Sequence, residues 1–224
     1  MIYSNEETKR RILEHLKWDN RIDETKIQVR IDDETVYLDG TAPTWMSKQA
    51  AQNDAMEIAG VKKVINNIKI LYPDNLNTVD DTELRESLRN VFSWDQGLST
   101  DNIVITVENG TAVLEGAVDA YWKKTRAEEL AFDIGGIVTV NNLLTVVPTK
   151  DILDEMIAQD IVNALNRNFS INAETIDVKA ANGRVVLSGI VLDWNTYKKV
   201  FEIAKNTTGV KEVVNDLIIS PSTL

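Results

Sequence analysis

Histidine and cysteine, two residue types that commonly carry catalysis or bind metals, are sparse or absent in this sequence. His15 is its single histidine, and cysteine is absent, which excludes disulfides, thiolate catalysis and cysteine-ligated zinc. A general base needs a positioned nucleophile and an orienting partner, and no residue pattern around His15 supplies either. The sequence also lacks a phosphate-binding loop, a GxSxG element and an HExxH element. We therefore expect a protein with no enzyme activity, no catalytic residues and no cofactors.

The acidic run Asp32-Asp33-Glu34 is the candidate for a metal site. Hard cations such as Ca²⁺ take about six to eight converging oxygens in a shaped loop. The run offers three neighbouring carboxylates at a predicted turn, so a solvated turn is the expected structure. We predict no metal site in this chain.

Large aromatic side chains recur beside lysines at one place in each part of the chain. Trp and Tyr suit surfaces that are half apolar and half wet, and the lysines add a local basic patch to an acidic chain. Two interpretations stay open, namely contact with a partner and packing against a sheet edge or a neighbouring copy. The candidate interaction surface consists of Trp45, Tyr121, Trp122, Trp194, Lys123, Lys124, Lys198 and Lys199.

The charge balance narrows the class of partner. The chain of 224 residues carries 35 acidic and 24 basic side chains, a net charge of −11. This charge opposes the electrostatic attraction that drives nucleic-acid binding, so no nucleic-acid partner is expected. It also repels anionic membranes at long range, so lipid contact has to come from a local basic or apolar patch.

The start of the chain bears on its compartment. The segment MIYSNEETKRR contains no apolar run of signal-peptide length, and no apolar stretch approaches the ~18 residues of a membrane span. As written, the chain is expected to be cytoplasmic. The alternative is a periplasmic protein whose leader has been removed.

Three glycines at regular spacing reveal an internal repeat. Gly40, Gly116 and Gly189 end the runs VYLDG, AVLEG and VVLSG, and they lie 76 and 73 positions apart. This spacing is too long for a solenoid unit and suits a compact domain with its own core. Glycines also recur twenty positions later, where we expect helix C-caps, and asparagines recur beyond them, where we expect backbone capping at the last strand. These positions are Gly60, Gly136, Gly209, Asn66, Asn142 and Asn215.

The elements of each copy follow from its hydrophobic periodicity. Apolar residues at helical spacing, such as Ile12 and Leu16, predict a first helix. Period-two alternation then predicts a β-hairpin, a second helix follows, and one more strand completes the copy. The predicted caps of the first helices are Ser4, Asp81 and Asp151, the predicted tight turns are Asn109-Gly110 and Asn182-Gly183, and the second helices are predicted to begin near Trp45, Tyr121 and Trp194.

The sequence therefore predicts an α+β protein of three tandem α-β-β-α-β domains. Each domain is a three-stranded mixed sheet with two helices on one face, because a crossover helix makes the third strand parallel to the second. The predicted domains span residues 1–73, 79–148 and 149–221.

This pattern resembles the BON domain, a module of bacterial envelope and osmotic-stress proteins. The resemblance rests on the isoleucine before each hairpin, on the LDG, LEG and LSG elements, and on the GV or GI motif with its later asparagine. It covers nearly the whole chain. The resemblance implies an α/β fold without catalytic residues. It also implies roles in attachment to phospholipid membranes or in periplasmic protein folding under stress.

The open face of the predicted sheet differs between the copies. In the second copy it carries Val104, Val113 and Leu143, whereas the first copy has mostly polar and charged residues there. Exposed apolar surface is unfavourable by about 25 cal/mol per Å². We therefore predict that Val104, Val113 and Leu143 form an inter-domain face, covered by a neighbouring copy or by another subunit.

These observations favour a non-enzymatic binding protein of the bacterial stress or envelope type. Its repeated modules would attach to a phospholipid surface or to a protein partner, with the added avidity that repetition provides. Two alternatives stay open, a chaperone-like holder of unfolded clients and a structural scaffold within a larger assembly. Inter-domain or homo-oligomer contacts are compatible with each.

Overall fold

The computed structural model describes residues 3–32, 34–71, 80–98 and 102–220. The helices are α1 (Asn5–Trp18), α2 (Trp45–Met56), α3 (Asp81–Trp94), α4 (Tyr121–Phe132), α5 (Asp154–Asn166) and α6 (Trp194–Lys205). The strands are β1 (Ile27–Asp32), β2 (Thr35–Ala42), β3 (Lys63–Asn66), β4 (Lys69–Ile70), β5 (Ile103–Glu108), β6 (Thr111–Val118), β7 (Thr139–Val146), β8 (Ile176–Ala181), β9 (Arg184–Val191) and β10 (Glu212–Ile219).

The predicted fold of three α-β-β-α-β units is confirmed. In every repeat the hairpin strands pair antiparallel and the last strand runs parallel to the second hairpin strand. The first repeat differs from the prediction in one respect, because its last strand is divided into β3 and β4. The predicted boundary between residues 73 and 79 lies outside the described residues.

The anchor glycines are required by a close approach of the backbone. Gly40, Gly116 and Gly189 have positive φ angles of 131°, 120° and 125°. Each lies opposite the first residue of its hairpin partner strand. A Cβ at Gly40 would collide with the carbonyl oxygen of Lys26, and the other two glycines face equivalent carbonyls. Glycine is therefore the residue that lets the hairpin close at this point.

The hairpin turns of the second and third repeats have the tight geometry expected of Asn-Gly. Asn109 and Asn182 adopt φ angles of 49° and 53°, and the glycine after each is also positive. The backbone amides of Asn109 and Gly110 donate to the Asp81 carboxylate at 2.8 and 3.0 Å. Asp154 accepts the equivalent pair of bonds in the third repeat. In these two repeats the first helix is thereby joined to the hairpin turn.

The observed caps of the first helices differ from the predicted ones in the second and third repeats. Ser4 does cap α1, accepting from the Glu7 amide at 3.3 Å. Asp81, however, is the first residue of α3, and the cap is Asp80. Asp151 lies ahead of α5, which begins at Asp154. Asp81 and Asp154, the first residues of α3 and α5, contact the hairpin turns instead of the free amides of their own helices.

The second helices begin at the predicted residues, but they end earlier than predicted. Their C-caps are Glu57, Asp133 and Asn206. The glycines expected at the caps, Gly60, Gly136 and Gly209, lie three residues farther on, although they do have positive φ angles of 97°, 108° and 88°. They shape the turn that leads into the last strand, because the chain has to reverse there.

The repeated asparagines join the last strand to the second helix. The side-chain amide of Asn142 donates to the carbonyl oxygen of Lys124 at 2.8 Å, and its oxygen accepts from the Leu144 amide. Asn66 makes the same two contacts in the first repeat. Asn215 keeps only the strand contact, at 3.3 Å to the Leu217 amide, and its buried Nδ2 has no partner among the described residues.

This difference predicts unequal effects of one substitution. Asn142→Ala removes a bond to the helix and a bond within the strand, so the free energy of unfolding should fall by about 1–3 kcal/mol. Asn215→Ala should lower the free energy of unfolding by less, because Asn215 Nδ2 has no hydrogen bond that the substitution could remove. Urea unfolding measures both, with the exposed neighbour Asn141→Ala as control. Equal losses at the two positions would contradict the prediction.

The contact of Asp154 with the hairpin turn predicts that folding stability falls in acid. The Gly183 and Asn182 amides lower the pKa of Asp154 below its usual value. A lowered folded-state pKa adds stability above the unfolded value of about 3.9, and this stability is lost as pH falls toward the folded value. Asp154→Asn should therefore lower the Tm at neutral pH, and the difference should narrow in acid. Thermal unfolding at both pH values measures this.

The matched control is Glu155→Gln, which removes the same charge from the same turn of α5. It should leave the Tm nearly unchanged at both pH values. A Tm difference for Asp154→Asn that stays constant from neutral to acid pH would contradict the charge-assisted contact.

Candidate functional site

An aromatic stack joins the first repeat to the second. The rings of Trp45, at the start of α2, and Phe132, at the end of α4, lie 4.9 Å apart at an interplanar angle of 6°. Both residues are half-buried. Stacked aromatic rings combine apolar burial with favourable ring electrostatics. Trp45 therefore contacts a neighbouring copy.

Tyr121 and Trp194, the equivalents of Trp45, also lie where repeats meet. Tyr121 packs against the apolar core of its own repeat and against the cluster that the first and third repeats share. Burial raises the pKa of its phenol, and the backbone amide of Val213 in the third repeat opposes that shift. Trp194 stacks on Tyr197 at 4.9 Å and packs against the shared cluster.

Two ion pairs complete the junctions. Lys198 of α6 lies 3.6 Å from Glu57, which follows α2. Lys205, at the end of α6, lies 3.9 Å from Glu129 of α4 and 2.7 Å from Glu202.

The start of α2 thus meets the end of α4, and α6 meets the residue that follows α2. The second and third repeats meet differently, through Tyr121 beside Val213 and through the end of α6 beside Glu129. Each repeat therefore contacts both of the others, and the three repeats form a closed ring.

The remaining members of the candidate interaction surface lie elsewhere. Trp122 lies against Gly97, whose added Cβ would meet the indole ring at 2.6 Å. Lys123 pairs with Asp119 at 2.7 Å and lies 5.6 Å from the Trp122 ring. Lys124 is half-buried and Lys199 is exposed. The structure therefore distributes this set among three junctions and the outer surface instead of gathering it into one patch.

The most exposed aromatic rings are ones that the sequence analysis did not select. Trp18 and Trp94 are the last residues of α1 and α3, and their exposed fractions are 82% and 79%. They occupy equivalent positions in the first two repeats. The third repeat has Arg167 at this position and the fully exposed Phe169 two residues later. Each repeat thus presents one large ring beside the end of its first helix, and we call these three residues the aromatic triad.

The carboxylates next to the tryptophans are neutralised. Asp19 follows Trp18 and binds Arg21 at 2.5 Å, which lowers the pKa of Asp19. Asp95 follows Trp94 and binds Arg126 at 3.0 Å. In the third repeat the equivalent residue is Asn168, which has no charge. The immediate surroundings of the aromatic triad are therefore less acidic than the chain as a whole.

The predicted inter-domain face of the second sheet is open. Val104 and Leu143 are 57% and 59% exposed, with the exposed Glu115 between them in the sheet. Val113, two residues before Glu115 on the same strand, is half-buried. No described part of the other two repeats covers this face. The copy-to-copy contacts are made by the second helices instead, because each sheet turns its other face toward its own helices.

The buried polar groups of the first repeat include His15 and Asp54. His15 stacks on Trp18 at 6.1 Å, and its buried Nδ1 has no partner among the described residues. Burial raises the pKa of Asp54, to which His15 is close. Within the described ranges, no group of three or more histidine or carboxylate side chains is placed to hold a metal ion. In the same ranges, no helix has the length and apolar character needed to cross a bilayer.

The junction between the first two repeats predicts an energetic coupling. Trp45→Ala and Phe132→Ala should each lower the free energy of unfolding, and the double variant should lose less than the sum. The expected coupling is about 0.5–1.5 kcal/mol, the usual range for an aromatic pair. Urea unfolding of the four proteins measures it. Pairing Trp45→Ala with Trp94→Ala, an exposed ring, should give no coupling, and a similar value for both pairs would contradict the stack.

Comparison with known proteins agrees with this architecture. The BON domain family matches residues 4–72, 80–148 and 153–221. A protein of Anaplasma centrale, described as an uncharacterized protein in the gshII 5′ region, is 27% identical over 128 residues, which are 55% of this chain and 85% of that protein.

Two solved structures show a weak likeness. CdsD, a structural protein of the type III secretion system of Chlamydia trachomatis, is 15% identical with a TM-score of 0.28, over 96% of this chain and 92% of CdsD. The PrgH periplasmic domain is 12% identical with a TM-score of 0.23, over 87% of this chain and 95% of that domain. These TM-scores are too low to carry an argument about function. The family match extends over nearly the whole described chain, and the protein belongs to the BON domain family as a tandem of three BON domains.

Proposed function

We propose that this protein is a non-enzymatic binding protein that attaches to phospholipid membrane surfaces through the aromatic triad, Trp18, Trp94 and Phe169. The observation that carries the proposal is the exposure of one large ring at nearly the same place in all three repeats. Tryptophan and phenylalanine are favoured where a protein meets the lipid headgroup region. Membership of a family of non-enzymatic binding modules supports the same conclusion.

The ring of repeats supports simultaneous contact by the triad. A ring of like repeats places equivalent positions at similar heights around its axis. Trp18 and Trp94 are such positions, and Phe169 lies two residues after the equivalent position of the third repeat. Three rings at similar height can meet a flat surface together, and the second and third contacts then benefit from a high effective concentration.

The charge distribution decides which membrane suits the protein. A net charge of −11 opposes approach to anionic lipid. Arginines pair with the two carboxylates that directly follow the tryptophans, Asp19 and Asp95. Apolar insertion depends little on salt, whereas attraction by basic patches weakens with salt. The proposal therefore favours neutral phospholipid and binding that persists at high ionic strength.

The first experiment is vesicle co-sedimentation. The native chain should bind phosphatidylcholine vesicles, with weaker binding when phosphatidylserine is added. The triple variant W18A/W94A/F169A should bind at least about ten-fold more weakly, a change of ~1.4 kcal/mol. The control variant L153A/M156A removes two exposed apolar side chains outside the triad and should bind like the native chain. Equal binding by the triple and control variants would refute the role of the triad.

A second candidate function, binding of a protein partner or an unfolded client, is supported by the open sheet face of the second repeat. The open sheet face with Val104, Val113 and Leu143 has no basic side chain among its described outward positions, and large apolar side chains are exposed on it. Exposed apolar patches often mark protein contacts, so this face favours a protein partner or an unfolded client. The variant V104K/V113K separates the two functions. If it abolishes suppression of client aggregation while vesicle binding is absent in every variant, the protein-binding function replaces the membrane one.

A further inference from the structure

The third repeat contains a cavity of about 720 Å³ at the end of its sheet. Buried Ile176 and Val191 lie at its base, and exposed Ile190 and Leu192 lie at its mouth. Its polar lining consists of hydroxyl and amide side chains and contains no charged group: Ser170, Asn172, Thr175, Thr196 and Ser220. Volumes of about 300–1,000 Å³ with mostly apolar walls are typical of small-molecule sites.

Internal comparison shows that this lining is specific to the third repeat. The positions of Ser170 and Thr175 are occupied in the first repeat by Arg21 and Lys26. Arg21 is already engaged there by Asp19. The first repeat therefore presents two cations where the third presents hydroxyl groups.

At the positions equivalent to the cavity lining, the second repeat has charged side chains and a larger ring than the third. Asp119 and Lys123 stand at the positions of Leu192 and Thr196 and form an ion pair of 2.7 Å. Trp122, whose equivalent is Asn195, rests on Gly97, whose equivalent is the cavity residue Ser170. Its indole ring thus occupies space beside the position that stays open in the third repeat.

Two hydroxyl groups that line the cavity are free to form hydrogen bonds with a ligand. The side-chain hydroxyls of Thr196 and Ser220 form no hydrogen bond within the described part of the chain, whereas the Thr175 hydroxyl donates to the Ile190 carbonyl at 2.8 Å. Asp193, the nearest carboxylate along α6, accepts from the Thr196 amide at 2.7 Å. Among the described lining residues a ligand would therefore find apolar walls, free hydroxyls and no charged side chain.

We propose that this cavity binds an uncharged small molecule with an aliphatic or aromatic group and one hydrogen-bonding group. Burying a charge in a site without a counter-charge is strongly unfavourable. The described lining contains neither a basic nor an acidic side chain, so it disfavours anions and cations alike and selects a neutral ligand. The inference is independent of the membrane function, because none of the aromatic triad lines the cavity.

The test uses the full chain and the neutral fluorescent probe N-phenylnaphthylamine. The native chain should show saturable binding, and octanol should displace the probe. Octanoate and octylammonium, which have the same chain with a charge, should compete at least about ten-fold more weakly. Absence of saturable binding, or equal competition by a charged analogue, would overturn the proposal.

Two variants transfer features of the second repeat into the cavity. L192D/T196K installs the Asp119–Lys123 pair, and N195W installs the ring of Trp122. Each should weaken probe binding at least about ten-fold. The reverse change, D119L/K123T, should leave the affinity unchanged, as should W18A/W94A/F169A. Native affinity in both cavity variants would place the probe elsewhere and overturn the proposal, whereas loss of vesicle binding alone would concern only the membrane function.

Discussion

The second helix of every repeat must pack on two sides at once, and the rest of the structure depends on this constraint. On one side small residues let α2 lie close to its own sheet, with Ala50, Ala51 and Ala55 fully buried or nearly so. On the other side the helix ends meet the neighbouring repeat through a stacked ring or an ion pair. The sheets are thereby turned outward, and the rings beside the first helices stay in solvent.

Much of the fold could be predicted because its causes are local. The starts of α2, α4 and α6 follow a strand and a turn, and the spacing of Gly40, Gly116 and Gly189 reports a backbone approach that any side chain would block. Hydrophobic period separates helix from strand within a single copy. Element type, strand order and the number of copies therefore follow from the sequence, whereas the exact ends of helices depend on turn geometry that the pattern does not encode.

Exposure of the candidate residues could not be predicted in the same way. Trp45 and Trp18 are equally apolar, and only the arrangement of the repeats buries one ring and leaves the other in solvent. A usable signal was nevertheless present. Trp18 and Trp94 recur 76 positions apart. Each lies outside the apolar stripe of its helix, which ends at Leu16 in α1 and at Phe92 in α3. A large ring repeated outside the core stripe is better evidence of surface contact than a ring repeated at a helix start.

Covalent linkage of the three repeats has an evolutionary consequence. In a symmetric trimer of identical chains every substitution appears three times, so no subunit can specialise without changing the others. Here one gene encodes all three positions of the ring, and each position varies alone. Arg21, Gly97 and Ser170 occupy one equivalent site with three different chemistries, and a shared architecture can thus carry three separately selected surfaces.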